Sequence, residues 1–184
     1  IGGIAVALAV QPTLSNFFAG TYVLTEGALK EGDFIEIEGG IAGYVSSVGW
    51  RSTKIRDRFN NLVLIPNSKM AESVVTNFYS PENAINILIT SGVAYEENLE
   101  NVEVVVRETL QQLLSVSENV ANNSKPRFGF EEFGDSNINF WIFMQAKDWA
   151  ASFQLKSEII KAVHSSFAQK GITINYPTRR IIKD

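Results

Sequence analysis

The sequence predicts a chain in three parts: an apolar helix over residues 1–27, a small all-β barrel domain over 28–80, and an α/β domain of the ferredoxin-like type over 81–184. The first 25 residues carry no charged side chain, the middle segment breaks into short apolar runs separated by turn residues, and the last segment alternates between the periodicities of strands and helices. With 184 residues, of which 45% are hydrophobic, the chain is long and apolar enough to fold around a core.

The predicted helix begins with ten residues, IGGIAVALAV, that contain no polar side chain. A full membrane-spanning helix needs about 20 apolar residues, and Gln11 interrupts this run, so the segment is either part of a span or a helix that faces both protein and water. Pro12 lacks a backbone N–H and predicts a break or kink near residues 10–13. Gly20 loosens the second half of the helix, and Gly27 is placed to end it.

The start of the chain also carries information. The sequence opens on Ile1 in the middle of an apolar run, and no basic segment precedes that run. A signal peptide would begin with a basic segment, so this class of leader is not expected. We expect instead that the sequence is a fragment of a longer protein.

Alternating side chains predict the strands of the β domain. Acidic and apolar residues alternate from Asp33 to Glu38, which is the pattern of a half-buried strand, and Gly39-Gly40 then makes a turn. Further strands are predicted at 42–49, 52–57 and 62–66. Five short strands in about 50 residues predict a small closed barrel. Pro66-Asn67-Ser68 is predicted to end the fourth strand and to cap a short helix over 68–72.

The last segment follows the order β-α-β-β-α-β, which is the split pattern of ferredoxin-like domains. Apolar residues recur every three or four positions in its two predicted helices, and Gly171 ends the second helix. The turn Gly134-Asp135-Ser136 separates two of its strands. The predicted strands are 85–89, 127–133, 137–147 and 172–174, and the predicted helices are 98–114 and 151–170.

Composition excludes several classes of function. The chain contains no cysteine, which excludes disulfide scaffolds, thiolate nucleophiles and cysteine-based zinc sites. Its one histidine, His164, excludes a metal site with two histidine ligands and weakens any histidine-based triad. Glu36 and Glu38 share one strand face, and a solvated face explains them better than an acidic site. We therefore predict no catalytic residue, no metal site, no cofactor and no enzymatic activity.

A basic cluster is the feature that favours a nucleic-acid-binding protein. Four basic residues lie close together in the sequence, with two aromatic residues nearby: Arg51, Lys54, Arg56 and Arg58, with Trp50 and Phe59. Such a cluster could hold single-stranded RNA, and a ring with an Sm-like β domain that binds RNA is the alternative function. The net charge of −4 argues against it, because nucleic-acid-binding proteins usually carry a basic excess. A solvated strand face is the favoured interpretation.

Small residues dominate the predicted helix, and they allow helices to pack closely without a hydrophobic driving force. Ile4 and Leu8 are four positions apart and share a face. In a symmetric ring, that face would form two stacked apolar collars, and a hydrophobic constriction can block ions by dewetting. The alternative is an ordinary buried core helix, which periodicity alone favours. The small residues are Gly2, Gly3, Ala5, Ala7 and Ala9.

Short motifs along the chain match one known family in their order. They lie in the helix (GIAVALAVQ from Gly3, Leu14-Ser15-Asn16, Ala19-Gly20), in the β domain (Gly32-Asp33-Phe34-Ile35, Gly43-Tyr44-Val45, Arg51-Ser52-Thr53, Ile65-Pro66-Asn67-Ser68, Asn77-Phe78) and in the last domain (Val93-Ala94-Tyr95, GDSNINF from Gly134, Gly171-Ile172, Tyr176-Pro177). With these motifs the chain resembles the small-conductance mechanosensitive channel family, over nearly its whole length.

The resemblance implies a homo-heptameric channel of the cell (inner) membrane that opens under membrane tension and releases ions and small osmolytes after hypo-osmotic shock. Residues 1–27 would line the pore, and the residues after about 28 would lie in the cytoplasm. The implied partners are further copies of the chain, the lipid bilayer, and the permeating ions and osmolytes. Neither nucleic acid nor a cofactor is expected.

The resemblance also implies a gate and a sliding surface in the helix. By position, Ile4 and Leu8 correspond to the two apolar rings that close the pore. Neighbouring helices of the family slide along small residues, which correspond here to Gly3, Ala5, Ala7 and Ala9.

Hinge and coupling positions follow in the second half of the helix. Pro12 and Gly20 are the predicted hinges, and Pro12 occupies a position where some members have glycine, so a proline would fix the kink. Asn16 corresponds to a polar position linked in the family to contact with the β domain near Asn67 and Ser68. Ser68 stands where the best-known pattern has glycine.

Overall fold

The structure, a computed structural model, describes residues 2–27 and 29–177 of the chain. Its internal contacts divide the chain into two compact units, Ile1–Asn83 and Ala84–Asp184. Each unit has its own cluster of buried apolar residues. The first unit holds the N-terminal helix together with the β domain, and the second holds the α/β domain.

The N-terminal helix, α1 (Gly2–Glu26), runs without interruption through Pro12. The predicted break at this proline was therefore wrong, because a proline removes only one N–H from the helical ladder and the hydrogen bonds on either side continue. Asn16 adds a bond here, since its Nδ2 donates to the Pro12 carbonyl oxygen at 2.8 Å. A bend within the continuous helix stays a prediction. Gly27 follows the helix with a left-handed φ of +63°, as expected for a C-terminal glycine.

Five strands and one short helix complete the first unit. The elements are β1 (Phe34–Ile37), β2 (Ile41–Val48), β3 (Ser52–Arg56), β4 (Leu62–Pro66), α2 (Asn67–Glu72) and β5 (Val75–Asn77). Antiparallel pairing gives the order β4-β3-β2-β1-β5. Every second strand side chain points into one core, which includes Ile35, Ile37, Val45, Ile55 and Ile65. The four strands placed from the sequence agree with the structure to within one residue at each end.

The sheet of the first unit is open. In the described residues, β4 and β5 lie at the two ends of the hydrogen-bonded order and do not pair with each other. The predicted closed barrel was therefore wrong for the single chain. The chain turns from β4 directly into α2, and the three residues of β5 all pair with β1. The Sm-like assignment stays a prediction.

The second unit packs two helices with a three-stranded antiparallel sheet. The elements are β6 (Ile85–Val93), α3 (Leu99–Val116), β7 (Arg127–Phe133), β8 (Ile138–Ala146) and α4 (Trp149–Lys170). The strand order is β6-β8-β7. The central strand β8 buries every second side chain, and α4 buries a row of residues four positions apart, from Ala151 to Phe167. These rows meet in one apolar core.

The predicted last strand at 172–174 is not a strand in the structure. The Thr173 carbonyl oxygen accepts the Ala94 N–H at 2.9 Å, but the Thr173 N–H donates to the Glu97 carboxylate at 2.8 Å. The Asn175 N–H likewise donates to the side chain of Asn137 at 3.2 Å. Because side chains take these backbone groups, no ladder forms, and the described part of the domain lacks the sixth element of the ferredoxin-like pattern.

Side chains of the residues just before α3 and α4 stabilise both helix starts. Asn98 accepts the Asn101 N–H at 3.0 Å, and Asp148 accepts the Ala151 N–H at 2.7 Å. Each bond satisfies one of the backbone donors that a helix leaves unpaired at its N-terminus. Gly171, with a φ of +69°, ends α4 as the sequence predicts.

We expect Asp148→Ala to lower the free energy of unfolding by about 1 kcal/mol, which is the usual loss when a helix N-cap is removed. Asp148→Ser is the matched control, because a serine hydroxyl can also accept the Ala151 N–H. Chemical denaturation of the purified protein, followed by circular dichroism, measures both variants. Equal destabilisation by alanine and serine would contradict the capping role.

Candidate functional site

The helix α1 is apolar and exposed. Its stretch Gly2–Tyr22 has 21 residues and a mean hydropathy of 1.2, which is long and apolar enough to cross a membrane by length and composition, and its most apolar part is not buried in the chain. The exposed fractions of Ile4 and Leu8 are 69% and 64%. A core helix of a soluble protein would be buried, so within this chain the alternative of an ordinary core helix is excluded.

The first half of α1 makes no close contact that explains its small residues. Ile4 and Leu8 lie on one face, one turn apart, and Ala5, Ala7 and Ala9 are exposed as well. A side chain added at Gly3 would meet nothing within 4 Å. The chain itself therefore does not require small residues here.

The second half of α1 contacts the β domain through Asn16. While its Nδ2 donates to the Pro12 carbonyl, its Oδ1 accepts the backbone N–H of Ser68 at 3.0 Å. Ser68 is the second residue of α2, and Pro66, at the N-cap of α2, provides no side-chain hydrogen bond. Asn16 thus satisfies, from another helix, one of the N–H groups that the short helix leaves unpaired.

Asn67 does not cap α2, and the prediction that the segment 66–68 caps its own helix was wrong. The Asn67 side chain is fully buried, where its Oδ1 accepts the Thr53 hydroxyl at 3.0 Å and its Nδ2 donates to the Gly49 carbonyl at 2.8 Å. Its backbone N–H donates to the Arg51 carbonyl at 3.0 Å. These bonds tie the start of α2 to β3 and to the turn before it.

Gly20, a predicted hinge, is buried against this same network. It lies next to Asn67 and the Trp50 carbonyl oxygen. Pro12, the other predicted hinge, is exposed and lines a cleft of about 340 Å³ between α1 and the β domain, together with Arg51 and Leu64. The structure therefore brings Asn16, Gly20, Asn67 and Ser68 together, and it leaves Ile4, Leu8 and the alanines at a distance along the helix.

The other basic residues of the predicted cluster lie on an exposed strand face and turn. Lys54 and Arg56 point outward from β3, and Arg58 follows in the turn to β4. Hydrogen bonds from the side-chain amide and then the backbone N–H of Asn61 lower the pKa of Asp57, so an ionised carboxylate stands between Arg56 and Arg58 in the chain. This dilutes the positive charge that an RNA-binding surface needs.

The acidic residues and the histidine form no metal site in the part of the chain that the structure describes. Glu36 and Glu38 are exposed, and Asp33 accepts hydrogen bonds from the Lys30 backbone N–H at 2.9 Å and from the Asn77 side chain at 2.7 Å. His164 is exposed on α4. These positions have structural or solvated roles in the described residues.

The sequence analysis did not find the role of Thr53, whose hydroxyl donates to the buried Asn67 side chain beneath α1. Thr53 occupies an inward position of β3, next to the equally buried Ile55 two residues later. A hydroxyl at an inward strand position must have a partner, because an unpaired buried polar group costs about 1–3 kcal/mol. The alternation of β3 thus contained the signal, but only the tertiary structure identifies Asn67 as that partner.

Two family models match the chain in the order of its two domains. The first, "Mechanosensitive ion channel, beta-domain", matches residues 12–80. The second, "Mechanosensitive ion channel MscS, C-terminal", matches residues 87–174. The first match begins within α1 and includes the contact between α1 and the β domain.

Two of the proteins similar in sequence carry the names of mechanosensitive channels. The chain is 33% identical to the "Large-conductance mechanosensitive channel MscMJLR" of Methanocaldococcus jannaschii, over 97% of this chain and 50% of the relative. It is 30% identical to a "Small-conductance mechanosensitive channel" of Helicobacter pylori, over 95% of this chain and 61% of the relative. The chain thus spans about half to three-fifths of the length of these relatives.

The fold is similar to that of a solved channel. The crystal structure of Helicobacter pylori MscS in its closed state matches with a TM-score of 0.84 and 28% identity, covering 99% of this chain and 70% of that one. Arabidopsis thaliana MSL1 shares the fold, with a TM-score of 0.72 at 19% identity over 95% of this chain and 63% of that one. With an apolar N-terminal helix that is a candidate span, a β domain and an α/β domain in the same order, the chain belongs to the MscS family of mechanosensitive ion channels and is part of a membrane protein.

Proposed function

We propose that the chain supplies the pore-lining helix and the cytoplasmic part of a tension-gated channel. Seven copies form the channel in the inner membrane, and it releases ions and small osmolytes under hypo-osmotic shock. The observation that carries the proposal is α1, a helix without charge from Gly2 to Thr25 that is exposed in the chain and continuous with a β domain of the mechanosensitive family. Residues after about 28, which hold all charged groups except Glu26, lie in the cytoplasm.

Exposure of α1 supports its place in the membrane and next to other copies. Several large apolar side chains of α1 are 47–69% exposed in the chain, and exposing such surface to water is unfavourable by roughly 25 cal/mol per Å². A bilayer on one side and neighbouring helices on the other would remove it. These side chains include Ile4, Val6, Leu8, Phe17 and Phe18.

Ile4 and Leu8 form the gate in this proposal. They share one face of α1, so a ring of helices would present two apolar collars one turn apart to the axis. A narrow apolar constriction excludes water and therefore ions. The gate needs no charged side chain, no nucleophile and no cofactor, and the channel is not an enzyme.

Gly3, Ala5, Ala7 and Ala9 form the surface along which neighbouring helices slide. Nothing in the described chain occupies the space beside Gly3, so the requirement for small residues arises between copies. Small side chains let helix backbones approach closely and leave few ridges to cross when the helices move. Tension favours the state with the larger area in the membrane plane, and sliding along these residues would separate the collars.

The open edges of the β sheet support assembly into a ring. The outer strands β4 and β5 stand at opposite ends of the sheet, and Leu62 and Leu64 on β4 are 61% and 58% exposed. Unpaired strand edges with exposed apolar side chains favour pairing with another chain. A contact between two different surfaces of identical subunits closes into a ring when its rotation fits. The bond between Asn16 and Ser68 would then couple each pore helix to this ring.

We expect Leu8→Ser to lower the tension that opens the channel. Each leucine side chain contributes about 1.5–3 kcal/mol of apolar burial, and a serine hydroxyl would stabilise water in the closed pore. Val6→Ser is the matched control, because Val6 has the same exposed fraction of 64% as Leu8 but lies on the opposite face of α1. Patch recordings of the full-length channel in cells without their own tension-gated channels measure the threshold. Equal thresholds for Leu8→Ser and the unmodified channel would remove Leu8 as the gate.

We expect Ala7→Val and Ala9→Val to raise the threshold while the assembled ring persists, because a branched side chain makes the sliding surface rougher. Overpacking by two methyl groups costs on the order of 1–3 kcal/mol. Ala7→Ser, which adds a single oxygen atom, is the size control. Recordings are paired with size-exclusion chromatography in detergent. Loss of the oligomer, rather than late opening, would show that this packing is static.

A further inference from the structure

Among the residues of α1 whose side-chain burial the structure describes, Gly20 alone is buried. Asn16, one turn earlier, is half-buried, as is Ala19 beside Gly20, and the other residues of α1 with described burial are exposed. Asn16 and Gly20 therefore form one short stripe along which α1 meets the β domain. Their partners, Ser68 and Asn67, are adjacent in the chain.

A side chain at Gly20 has no room. A methyl carbon built on Gly20 would overlap Asn67 Nδ2, and it would lie 3.1 Å from the Trp50 carbonyl oxygen and 3.3 Å from Asn67 Cγ. The backbone at Gly20 is helical, and its φ is not in the left-handed region. Any residue could adopt this conformation, so the steric contact, and not the backbone angle, is what requires glycine.

Asn67 cannot easily move aside. It is fully buried, its Nδ2 donates to the Gly49 carbonyl at 2.8 Å, and its Oδ1 accepts the hydroxyl of the equally buried Thr53 at 3.0 Å. Rotating the amide away from α1 would break both bonds and leave buried polar groups unpaired, which costs more than an ordinary surface hydrogen bond. The other close atom, the Trp50 oxygen, belongs to the backbone. With a larger residue at position 20, the helix itself would have to move.

We propose that Gly20 is a docking residue and not a hinge: its missing side chain lets the second half of α1 rest on the buried Asn67 amide and positions that half on the β domain. Asn16 adds a hydrogen bond to the same contact, and the missing side chain of Gly20 allows the helix to approach the β domain closely. The inference that this contact fixes the position of the gate rests on the proposed function. The docking itself does not.

Cysteine cross-linking tests the docking without any current. The 184 residues contain no cysteine, so Asn16→Cys with Ser68→Cys introduces a single pair into this part of the full-length protein, from which any other cysteines are removed. The pair spans the contact, since Asn16 Oδ1 and Ser68 N lie 3.0 Å apart. The protein is oxidised in membranes, and its chain is then cleaved between the two cysteines. Denaturing electrophoresis gives the yield of the cross-link as the fraction of chains whose two fragments stay joined. Size-exclusion chromatography verifies that each variant assembles.

We expect Gly20→Ala to lower the yield about tenfold, because a small-to-large change in a packed contact shifts such an equilibrium on the order of a factor of ten. Gly2→Ala is the matched control: it makes the same change in the same helix, at a glycine with nothing within 4 Å, and should leave the yield unchanged. Asn67→Ser, which shortens the opposing side chain, should restore the yield in the Gly20→Ala protein.

Each result decides the proposal. An unchanged yield in Gly20→Ala, with altered gating in patch recordings, would overturn docking and support the hinge. A lost yield that Asn67→Ser does not restore, while Asn67→Ser alone keeps the cross-link, would overturn Asn67 as the partner. If Asn67→Ser alone abolishes the cross-link, the comparison of Gly20→Ala with Gly2→Ala still decides whether Gly20 docks. Absence of tension-gated current with an intact cross-link pattern would contradict the proposed function and leave the docking in place.

Discussion

The buried side-chain amide of Asn67 is the interaction on which the first unit depends. It joins β3 through Thr53, the preceding turn through Gly49, and the start of α2, and it forms the surface on which Gly20 of α1 lies. A buried amide is stable only when its donors and acceptors are paired, and no described buried side-chain nitrogen or oxygen lacks a partner. Because Thr53 and Gly49 hold this amide in place, it presents a fixed surface to Gly20 of α1.

The contact that Asn16 and Gly20 make with the β domain is also uncharged. Asn16, Gly20, Thr53, Asn67 and Ser68 carry no group that gains or loses a proton near neutral pH. Its strength depends on shape and on neutral hydrogen bonds, which salt screens little.

The two halves of α1 follow different constraints. In the second half, one face is fitted to the β domain, and a single added methyl group would disturb it. In the first half, the small residues fit nothing within the described chain, and the large ones are exposed. A helix of this kind is stable only when a bilayer or further copies cover it, whereas the second unit, with its own apolar core and capped helices, satisfies its buried groups internally.

The sequence by itself determined the elements and their order, because apolar periodicity and turn residues are local properties. It placed four strands of the β domain to within one residue, and its motifs identified the family. Only the tertiary structure decided what depends on distant partners: the open sheet, and the side chains of Glu97 and Asn137 that replace a last strand. The role of Asn67 belongs to this second group, because an asparagine before a short helix has the sequence pattern of a cap. Whether it caps or is buried is set by Thr53 and Gly20, which lie 14 and 47 positions away in the sequence and meet Asn67 only in the folded unit.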